Sequence, residues 1–233
     1  MVNNFDVQIV LFLNQFVGRH VLFAKLVGLI PATNLLEGGV LVLLIWLVLF
    51  DRNRPGQLRT GFELLLGSAF FSLLATLIAR GLALSLPFRA RPINTPSLHL
   101  MVTANGGPPL INWSSFPSDH ATLFFALATG ILMVSRRMGW LAFAWVSLVC
   151  STLVCFGIHW PTDIFAGAVL GVSFAQMARI PVFREFARRT ITNWYQNHSP
   201  LFFAALFLWS YETVVLYDDL RQLLMRIAHS FRI

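Results

Sequence analysis

The chain has 233 residues, of which 57% are hydrophobic and only 12% are charged, and its mean hydropathy is +0.70. Because a soluble domain carries roughly 25% charged residues, this composition excludes an ordinary soluble domain and indicates a protein embedded in lipid. The formal net charge is +7. In a membrane protein such an excess usually sets topology, and no motif in the chain indicates nucleic-acid binding.

Apolar runs of near-membrane length predict an all-α, polytopic bundle of about six transmembrane helices. We divide the chain into an N-terminal part (1–33), a core (34–178) and a basic C-terminal part that ends in an amphipathic or transmembrane helix (179–233). Residues 5–30 form either an interfacial helix or a first crossing, because cationic residues interrupt the run. The predicted crossings are 34–50, 62–86, 121–134, 138–158 and 164–178, with a weaker candidate at 201–217.

The connections between these runs alternate in charge. The connections 87–119 and 158–163 carry only Arg89 and Arg91. The positive-inside rule therefore puts these two connections on the extracytoplasmic side, and a bacterial plasma membrane fits this arrangement best. The cytoplasmic connections carry nine arginines: Arg52, Arg54, Arg59, Arg136, Arg137, Arg179, Arg184, Arg188 and Arg189.

Three polar segments lie on the outer side, each beside a predicted helix: RARP (89–92), FPSDH (116–120) and GIHWPTD (157–163). They can therefore converge although they are far apart in sequence. Asp163 can reach His159, fix its tautomer and leave the other ring nitrogen as a nucleophile or base. His120 is suited to protonating a leaving oxygen.

The same segments offer groups that bind phosphate. Arg91 supplies a planar fork of donors, and Ser118 adds a hydroxyl beside the amides of a helix N-terminus. This set predicts phosphoryl transfer that needs no metal and no cofactor. Asp119 places a negative charge where phosphate should bind; it points outward, holds an arginine, recruits a divalent cation, or acts as an N-cap or first-turn acid.

In this order and on this topology, the three segments resemble the type-2 phosphatidic acid phosphatase superfamily over roughly residues 35 to 178. The pattern of that superfamily is a Lys, six residues and Arg-Pro; then Pro-Ser-Gly-His; then Ser-Arg, five residues, His, three residues and Asp. The resemblance implies that His159 attacks phosphorus and that Asp163 orients it. It also implies that His120 protonates the leaving group and that Arg91 and Ser118 hold the phosphate.

Two expected phosphate-binding cations are missing. Leu84 stands at the Lys position of the first motif and Leu153 at the Arg position of the third. Since a hydrogen bond to a charged group contributes about 1.5–3 kcal/mol, losing two costs about 3–6 kcal/mol. Arg80 shares a helix face with Leu84, but helical side chains lean toward the N-terminus, so we expect it to lean away. Arg89 is the better-placed phosphate ligand, and an N-terminal cation, Lys25 or Arg19, is another candidate.

The resemblance implies an integral-membrane lipid phosphatase that acts on a polyprenyl phosphate or diphosphate, such as undecaprenyl diphosphate. Two alternatives stay open: a phosphotransferase that passes the group to a glycan or lipid, and a non-hydrolytic lipid-binding or transport protein. The lipid substrate and the bilayer are the expected partners. Gly167 and Gly171 predict close helix packing, and the sequence leaves a homo-oligomer open.

Two further interpretations concern residues close to the polar segments. Glu37 lies in an apolar run, where an ionisable residue is expensive in lipid and hence a candidate site residue, but we favour the interpretation that it lies near the interface. Trp113 and Trp160 flank the polar segments. We interpret both as residues of the interfacial aromatic belt, with lining of a lipid entrance as the alternative.

Overall fold

The computed structural model describes residues 3–50, 57–101 and 111–230. Most of these residues are helical and none of them lies in a strand, which confirms the predicted all-α fold. Helices suit these apolar runs because every backbone N–H and C=O is then bonded within its own segment. In the described ranges the α-helices are α1 (Asn4–Arg19), α2 (Val21–Ala32), α3 (Val40–Leu49), α4 (Gln57–Ser85), α5 (Asp119–Val134), α6 (Arg136–Cys155), α7 (Pro161–Gln176), α8 (Pro181–Asn197), α9 (Ser199–Val214) and α10 (Asp218–Ser230).

Helix α5 forms the centre of the bundle, and Leu123, Phe124 and Ile131 on it are completely buried. It runs parallel to α7 at close range. An added Cβ on Gly167 would collide with the Ser118 carbonyl, and one on Gly171 would collide with the carbonyl of Thr122. The predicted close packing at these two glycines is therefore confirmed. It brings the N-termini of α5 and α7 side by side.

Helices α4 and α6 run antiparallel to α5 and α7. Arg80, near the C-terminus of α4, pairs with Asp119 at the start of α5. The turn after α6 carries His159 and leads directly into α7. We call this end of the bundle, where α4 and α6 finish and α5 and α7 begin, the site end. At the opposite end, Arg184 of α8 lies 3.5 Å from Glu63 of α4.

The membrane character of the bundle is clear from length and hydropathy. Among the described residues, Gly61–Ser85 and Arg136–Cys155 are each long and apolar enough to cross a bilayer. Two bent pairs pass the same test together, α1 with α2 (bent by 117°) and the segment Pro161–Arg179 with α8 (bent by 72°). Leu35–Leu49 and α5 are apolar but shorter. The number of crossings, about six, stays a prediction.

The bent pair α1–α2 begins and ends near the site end. Asp6 of α1 contacts Thr162 at the start of α7. Asn14 donates to the Cys155 carbonyl at 2.9 Å. A π-helical turn, Leu35–Gly39, follows α2 and brings Glu37 to His120 of α5. Both ends of the pair therefore lie beside the same end of the bundle.

Most of the described basic connections lie at the end away from the site. Arg136 and Arg137 begin α6 there, and α8 lies there with no buried residue. The predicted cytoplasmic residues Arg52 and Arg54 fall outside the described residues. Helix α9 returns to the site end, where the carbonyl of Leu216 accepts a hydrogen bond from Arg80.

Candidate active site

His159 lies in the turn between α6 and α7 and is 1% exposed. Its Nδ1 atom is 3.0 Å from the carbonyl oxygen of Ser115, and its Nε2 atom is 3.3 Å from Nη1 of Arg91. Because a carbonyl can only accept, Nδ1 carries the proton and Nε2 keeps its lone pair. Burial lowers the pKa of His159, the neighbouring Asp163 carboxylate raises it, and the nearby Arg91 charge lowers it. The ring is therefore a neutral imidazole with one unprotonated nitrogen.

Asp163 lies behind His159, as its spacing predicts, but its strongest bonds go elsewhere. Its Oδ2 atom is 3.6 Å from Nδ1 of His159 and accepts a hydrogen bond from the Trp160 amide at 2.8 Å. Its Oδ1 atom accepts from Arg89. The nearer partner of His159 is the Ser115 carbonyl, which sequence reasoning missed because any residue type could supply it.

Arg89 joins two buried carboxylates. It donates to Asp163 through Nη1 and to Asp6 through Nη2, the latter at 2.5 Å. Asp6 also accepts from the backbone and hydroxyl of Thr162, at 3.0 and 2.6 Å. The N-terminal segment reaches the site, as we considered when we named Lys25 and Arg19 as candidate cations. The residue that it contributes, however, is the acid Asp6. Both terminal nitrogens of Arg89, predicted as a phosphate ligand, have carboxylate partners, while its buried Nε atom has no hydrogen-bond partner.

His120 lies in the first turn of α5, with its ring centroid 6.0 Å from that of His159. The structure thus brings the two predicted histidines together. Each nitrogen of the His120 ring faces a carboxylate: Nδ1 is 3.0 Å from Oδ1 of Asp119, and Nε2 is 3.2 Å from Oε1 of Glu37. An imidazole can donate from both nitrogens only when it is protonated. These surroundings therefore favour the cationic form.

The interpretation favoured for Glu37, that it simply lies near the interface, misses its contact with His120, a predicted site residue. Glu37 is 6% exposed and lies against His120 through the π-helical turn. The sequence did carry a signal, since an ionisable residue in an apolar run is expensive in lipid and is often functional.

The expectation that Arg80 leans away from the site is wrong. Its Nε atom is 3.2 Å from Oδ2 of Asp119, and its Nη2 atom donates to the Leu216 carbonyl at 2.8 Å. The α4–α5 packing places the Asp119 carboxylate beside this turn of α4, and a charge-assisted hydrogen bond outweighs the usual lean of the side chain. Of the alternatives for Asp119, two are observed: it holds an arginine, and it is an acid in the first turn of α5. Leu84 is 73% exposed.

Arg91 has a donor without a protein partner. It is 4% exposed, and its Nη1 atom donates to the Ile158 carbonyl at 2.8 Å. Its Nε atom is buried and has no hydrogen-bond partner. Burial lowers the pKa of Arg91, whereas Asp119 and Asp163 raise it. A buried cationic donor that lacks a partner is the group that a bound anion would satisfy.

Ser118 and Leu153 have backbone roles at the site. Ser118 is the N-cap of α5: its Oγ accepts from the Ala121 amide at 3.3 Å, and its own amide donates to the Asp163 carbonyl at 3.2 Å. Leu153 is buried in the core, and its carbonyl accepts from the His159 amide at 3.3 Å. Ser118 therefore ties α5 to α7, while the side chain at the third-motif Arg position packs among apolar residues.

Trp160 is not an aromatic-belt residue. It is completely buried, its Nε1 atom donates to the Ala90 carbonyl at 2.8 Å, and the Arg89 guanidinium lies 5.5 Å from its ring centroid. Trp113 is partly buried, with the Arg221 guanidinium 5.9 Å from its ring.

Asp119, His120 and His159 offer ligand atoms that lie within 4.8 Å of one another, a spacing that could hold a metal ion. Each of them already has a partner: Arg80 for Asp119, Glu37 for His120 and Arg91 for His159. Two guanidinium groups next to these atoms oppose a cation by charge repulsion. The arrangement is better suited to an anion.

Exposed apolar side chains lie in a segment, which we call the apolar approach, that leads along the chain into Arg91. Leu84, Leu86 and Phe88 come just before it and are 73%, 40% and 59% exposed, respectively. A polar, cation-bearing site with an apolar approach suits a ligand that has a charged head and a hydrophobic tail.

Such a site on an all-α membrane bundle defines an integral-membrane protein with a paired-histidine centre. The family model described as "PAP2 superfamily" matches residues 64–187, which is more than half of the chain. The chain therefore belongs to the PAP2 superfamily, as its motifs indicated.

Curated relatives match parts of the chain. It is 26% identical over 133 residues to the undecaprenyl-diphosphatase BcrC of Bacillus subtilis (strain 168), covering 57% of this chain and 61% of that protein. It is 41% identical over 59 residues to the bacitracin transport permease protein BcrC of Bacillus licheniformis, covering 25% and 29%. It is 34% identical over 67 residues to the putative undecaprenyl-diphosphatase YbjG of Escherichia coli (strain K12), covering 28% and 34%. The chain thus spans less than two thirds of each relative, and no solved structure matches it.

Proposed function

We propose that this protein is a membrane lipid phosphatase that hydrolyses a polyprenyl phosphate or diphosphate through a phosphohistidine intermediate. The observation that carries the proposal is the contrast between the two histidines across one site. His159 has an unprotonated Nε2 atom, and His120, whose ring centroid is 6.0 Å away, is held between two carboxylates. A nucleophile and an acid are the two groups that phosphoryl transfer from a lipid alcohol needs.

In this reaction Nε2 of His159 attacks phosphorus while the bond from phosphorus to the leaving oxygen breaks. His120 gives a proton to that oxygen. Water then attacks the phosphohistidine, His120 takes back a proton, and the N–P bond electrons return to His159. The Ser115 carbonyl keeps the proton on Nδ1 throughout, and Asp163 supports the ring as positive charge develops.

Arg91 and Arg80 hold the phosphate in this proposal. Arg91 offers its unpartnered Nε atom, and Arg80 takes the place of the Lys that is missing at Leu84. The amides at the N-terminus of α5, ordered by Ser118, add further donors. Arg89 acts indirectly, because its contacts with Asp6 and Asp163 fix the acid behind His159. Asp119 likewise acts by orienting Arg80 and His120.

The substrate class rests on the relatives and on the apolar approach. Two of the relatives are named undecaprenyl-diphosphatase or putative undecaprenyl-diphosphatase, and an exposed apolar approach suits a lipid tail. The arginines of α6 and α8 lie at the end opposite the site. By the positive-inside rule, the site then faces the extracytoplasmic side of a bacterial plasma membrane.

The charge balance of the site favours one second candidate, a lipid-linked phosphotransferase. The carboxylates of Asp6, Glu37, Asp119 and Asp163 are balanced by the guanidinium groups of Arg80, Arg89 and Arg91 together with a cationic His120, so the sum is zero. A neutral site suits a phosphodiester or glycosyl phosphate, which carries less charge than a phosphomonoester.

Phosphate release in detergent from a panel of lipid phosphates and diphosphates tests the proposal. We expect release by the parent, loss of release in His159→Ala, and full activity in a matched variant, His198→Ala, whose ring lies between α8 and α9. If the phosphoryl group is transferred to an added glycan or lipid alcohol and no free phosphate is released, the result would favour the second candidate. Lipid binding without any turnover would instead indicate a non-hydrolytic lipid-binding protein.

A further inference from the structure

Glu37 is a buried acid whose position the family pattern does not explain. It lies on the π-helical turn Leu35–Gly39, before the region that matches the family model, and is 6% exposed. An unpaired carboxylate at such a place is strongly unfavourable. In the part of the chain that the structure describes, the ion pair it forms is with Nε2 of His120, at 3.2 Å. Single π-helical turns are frequent at functional sites.

The groups that face His120 contact different nitrogens of its ring. Asp119, on the same helix, contacts Nδ1 and shares its other oxygen with Arg80 of α4. His159 faces the ring from the α6–α7 turn. Glu37 alone among the described residues contacts Nε2. Both nitrogens therefore face a carboxylate. Asp119 also pairs with Arg80, whereas the one ion pair of Glu37 among the described residues is with His120, so Nε2 is the more firmly held nitrogen and Nδ1 is left to exchange a proton with substrate.

We propose that Glu37 is a positioning residue that holds the proton on Nε2 of His120, so that the ring stays an imidazolium and donates from Nδ1. The inference rests on the proposed phosphatase reaction. As the bond between phosphorus and the leaving oxygen breaks, that oxygen takes the bonding electrons and the Nδ1 proton. His120 becomes a neutral imidazole that keeps its Nε2 hydrogen bond to Glu37. In the second half, Nδ1 takes a proton from the attacking water, which restores the imidazolium.

This role makes the effect of Glu37 depend on the leaving group. An alkoxide leaving group needs a proton to depart. A lipid diphosphate that is attacked at its terminal phosphorus instead releases a lipid phosphate, which departs as a stable anion. General acid catalysis contributes about 10²–10⁴-fold where it is needed. We therefore expect Glu37→Gln, which keeps the side-chain shape, to slow an alkyl lipid monophosphate at least about tenfold more than a lipid diphosphate.

The experiment compares the parent, Glu37→Gln and Glu63→Gln on both substrates. Glu63 is the matched control, because it is also a buried glutamate, paired with Arg184 at the opposite end of the bundle. We expect Glu63→Gln to leave the ratio of the two rates unchanged. Equal slowing of both substrates by Glu37→Gln would overturn the positioning role.

A second measurement does not depend on turnover. Histidine labelled with ¹⁵N, in the protein in detergent at neutral pH, should show an imidazolium signal that is absent in His120→Asn. In Glu37→Gln we expect the signal of a neutral imidazole in place of the imidazolium signal. In Glu63→Gln we expect the imidazolium signal to remain. A neutral His120 in the parent, or a ring still charged in Glu37→Gln, would refute the inference. Absence of turnover in the parent would overturn the phosphatase proposal separately.

Discussion

The two histidines lie in one site but have opposite surroundings. The Ser115 carbonyl, the Arg91 guanidinium and, at 3.6 Å, the Asp163 carboxylate border His159, which is 1% exposed. Two carboxylates border His120, whose side chain is 25% exposed. The surroundings of His159 disfavour a second proton on its ring, whereas the surroundings of His120 favour a proton on both ring nitrogens. The same side chain can thus serve as nucleophile or as acid, and the difference between the two roles comes from neighbours on other helices.

The largest expected effect comes from removing the nucleophile. His159→Ala should reduce turnover by about 10⁴-fold or more, the scale seen when a covalent nucleophile is lost. It should also abolish ³²P labelling of the protein by a labelled substrate. A labelled His159→Ala protein would place the nucleophile elsewhere, and thermal unfolding in detergent checks that the variant is folded.

His120→Ala should be less severe and should depend on the substrate. Loss of a general acid costs about 10²–10⁴-fold on an alkyl lipid phosphate, with a smaller loss on a diphosphate. Because His159 is intact, the protein should still acquire ³²P label from the diphosphate. If label disappears in both histidine variants, the two rings do not have separate roles.

Arg80 tests whether the site has recovered the cation missing at Leu84. Arg80→Leu should lower kcat/KM about 10–100-fold, because a hydrogen bond to a charged group contributes about 1.5–3 kcal/mol. The double variant Arg80→Leu with Asp119→Asn separates two explanations. If Arg80 only neutralises Asp119, the double variant regains activity; if Arg80 binds phosphate, it does not. Arg184→Leu is the control, because Arg184 of α8 lies beside Glu63 at the other end of α4.

The smallest expected effect is a pair of opposite shifts in pH dependence. Activity requires neutral His159, so kcat/KM should fall as pH drops through the pKa of this ring. Burial lowers that pKa below its usual value, Asp163 raises it and Arg91 lowers it. Arg91→Gln should therefore move the acid limb to higher pH, and Asp163→Asn should move it to lower pH. Profiles of kcat/KM against pH measure both, and shifts in the same direction would contradict the assignment.

The helical fold could be predicted from the sequence because each run is apolar over nearly a membrane thickness. The placement of His120, His159, Asp163 and Arg91 followed from motifs at helix ends. Three contacts could not be read from these motifs. The Ser115 carbonyl is a backbone group, which residue identity does not reveal.

Arg80 and Glu37 were visible as charges in apolar runs, but the helix that each would meet depends on the packing of the bundle. The usual lean of a helical side chain gave the wrong direction for Arg80. That preference is local, whereas the position of Asp119 is set by α5, which runs antiparallel to α4. A rule that treats each intramembrane charge as paired until shown otherwise would have selected both residues.

The bent pair α1–α2 has a consequence for what counts as a minimal enzyme. Asp6, near the start of α1, supports the network behind His159. Glu37, on the π-helical turn after α2, contacts His120. Both residues precede the region that defines the family, 64–187. A version of the protein trimmed to that region would leave Arg89 and His120 each one carboxylate short. Domain boundaries drawn from sequence similarity would thus divide one charge-balanced unit in two.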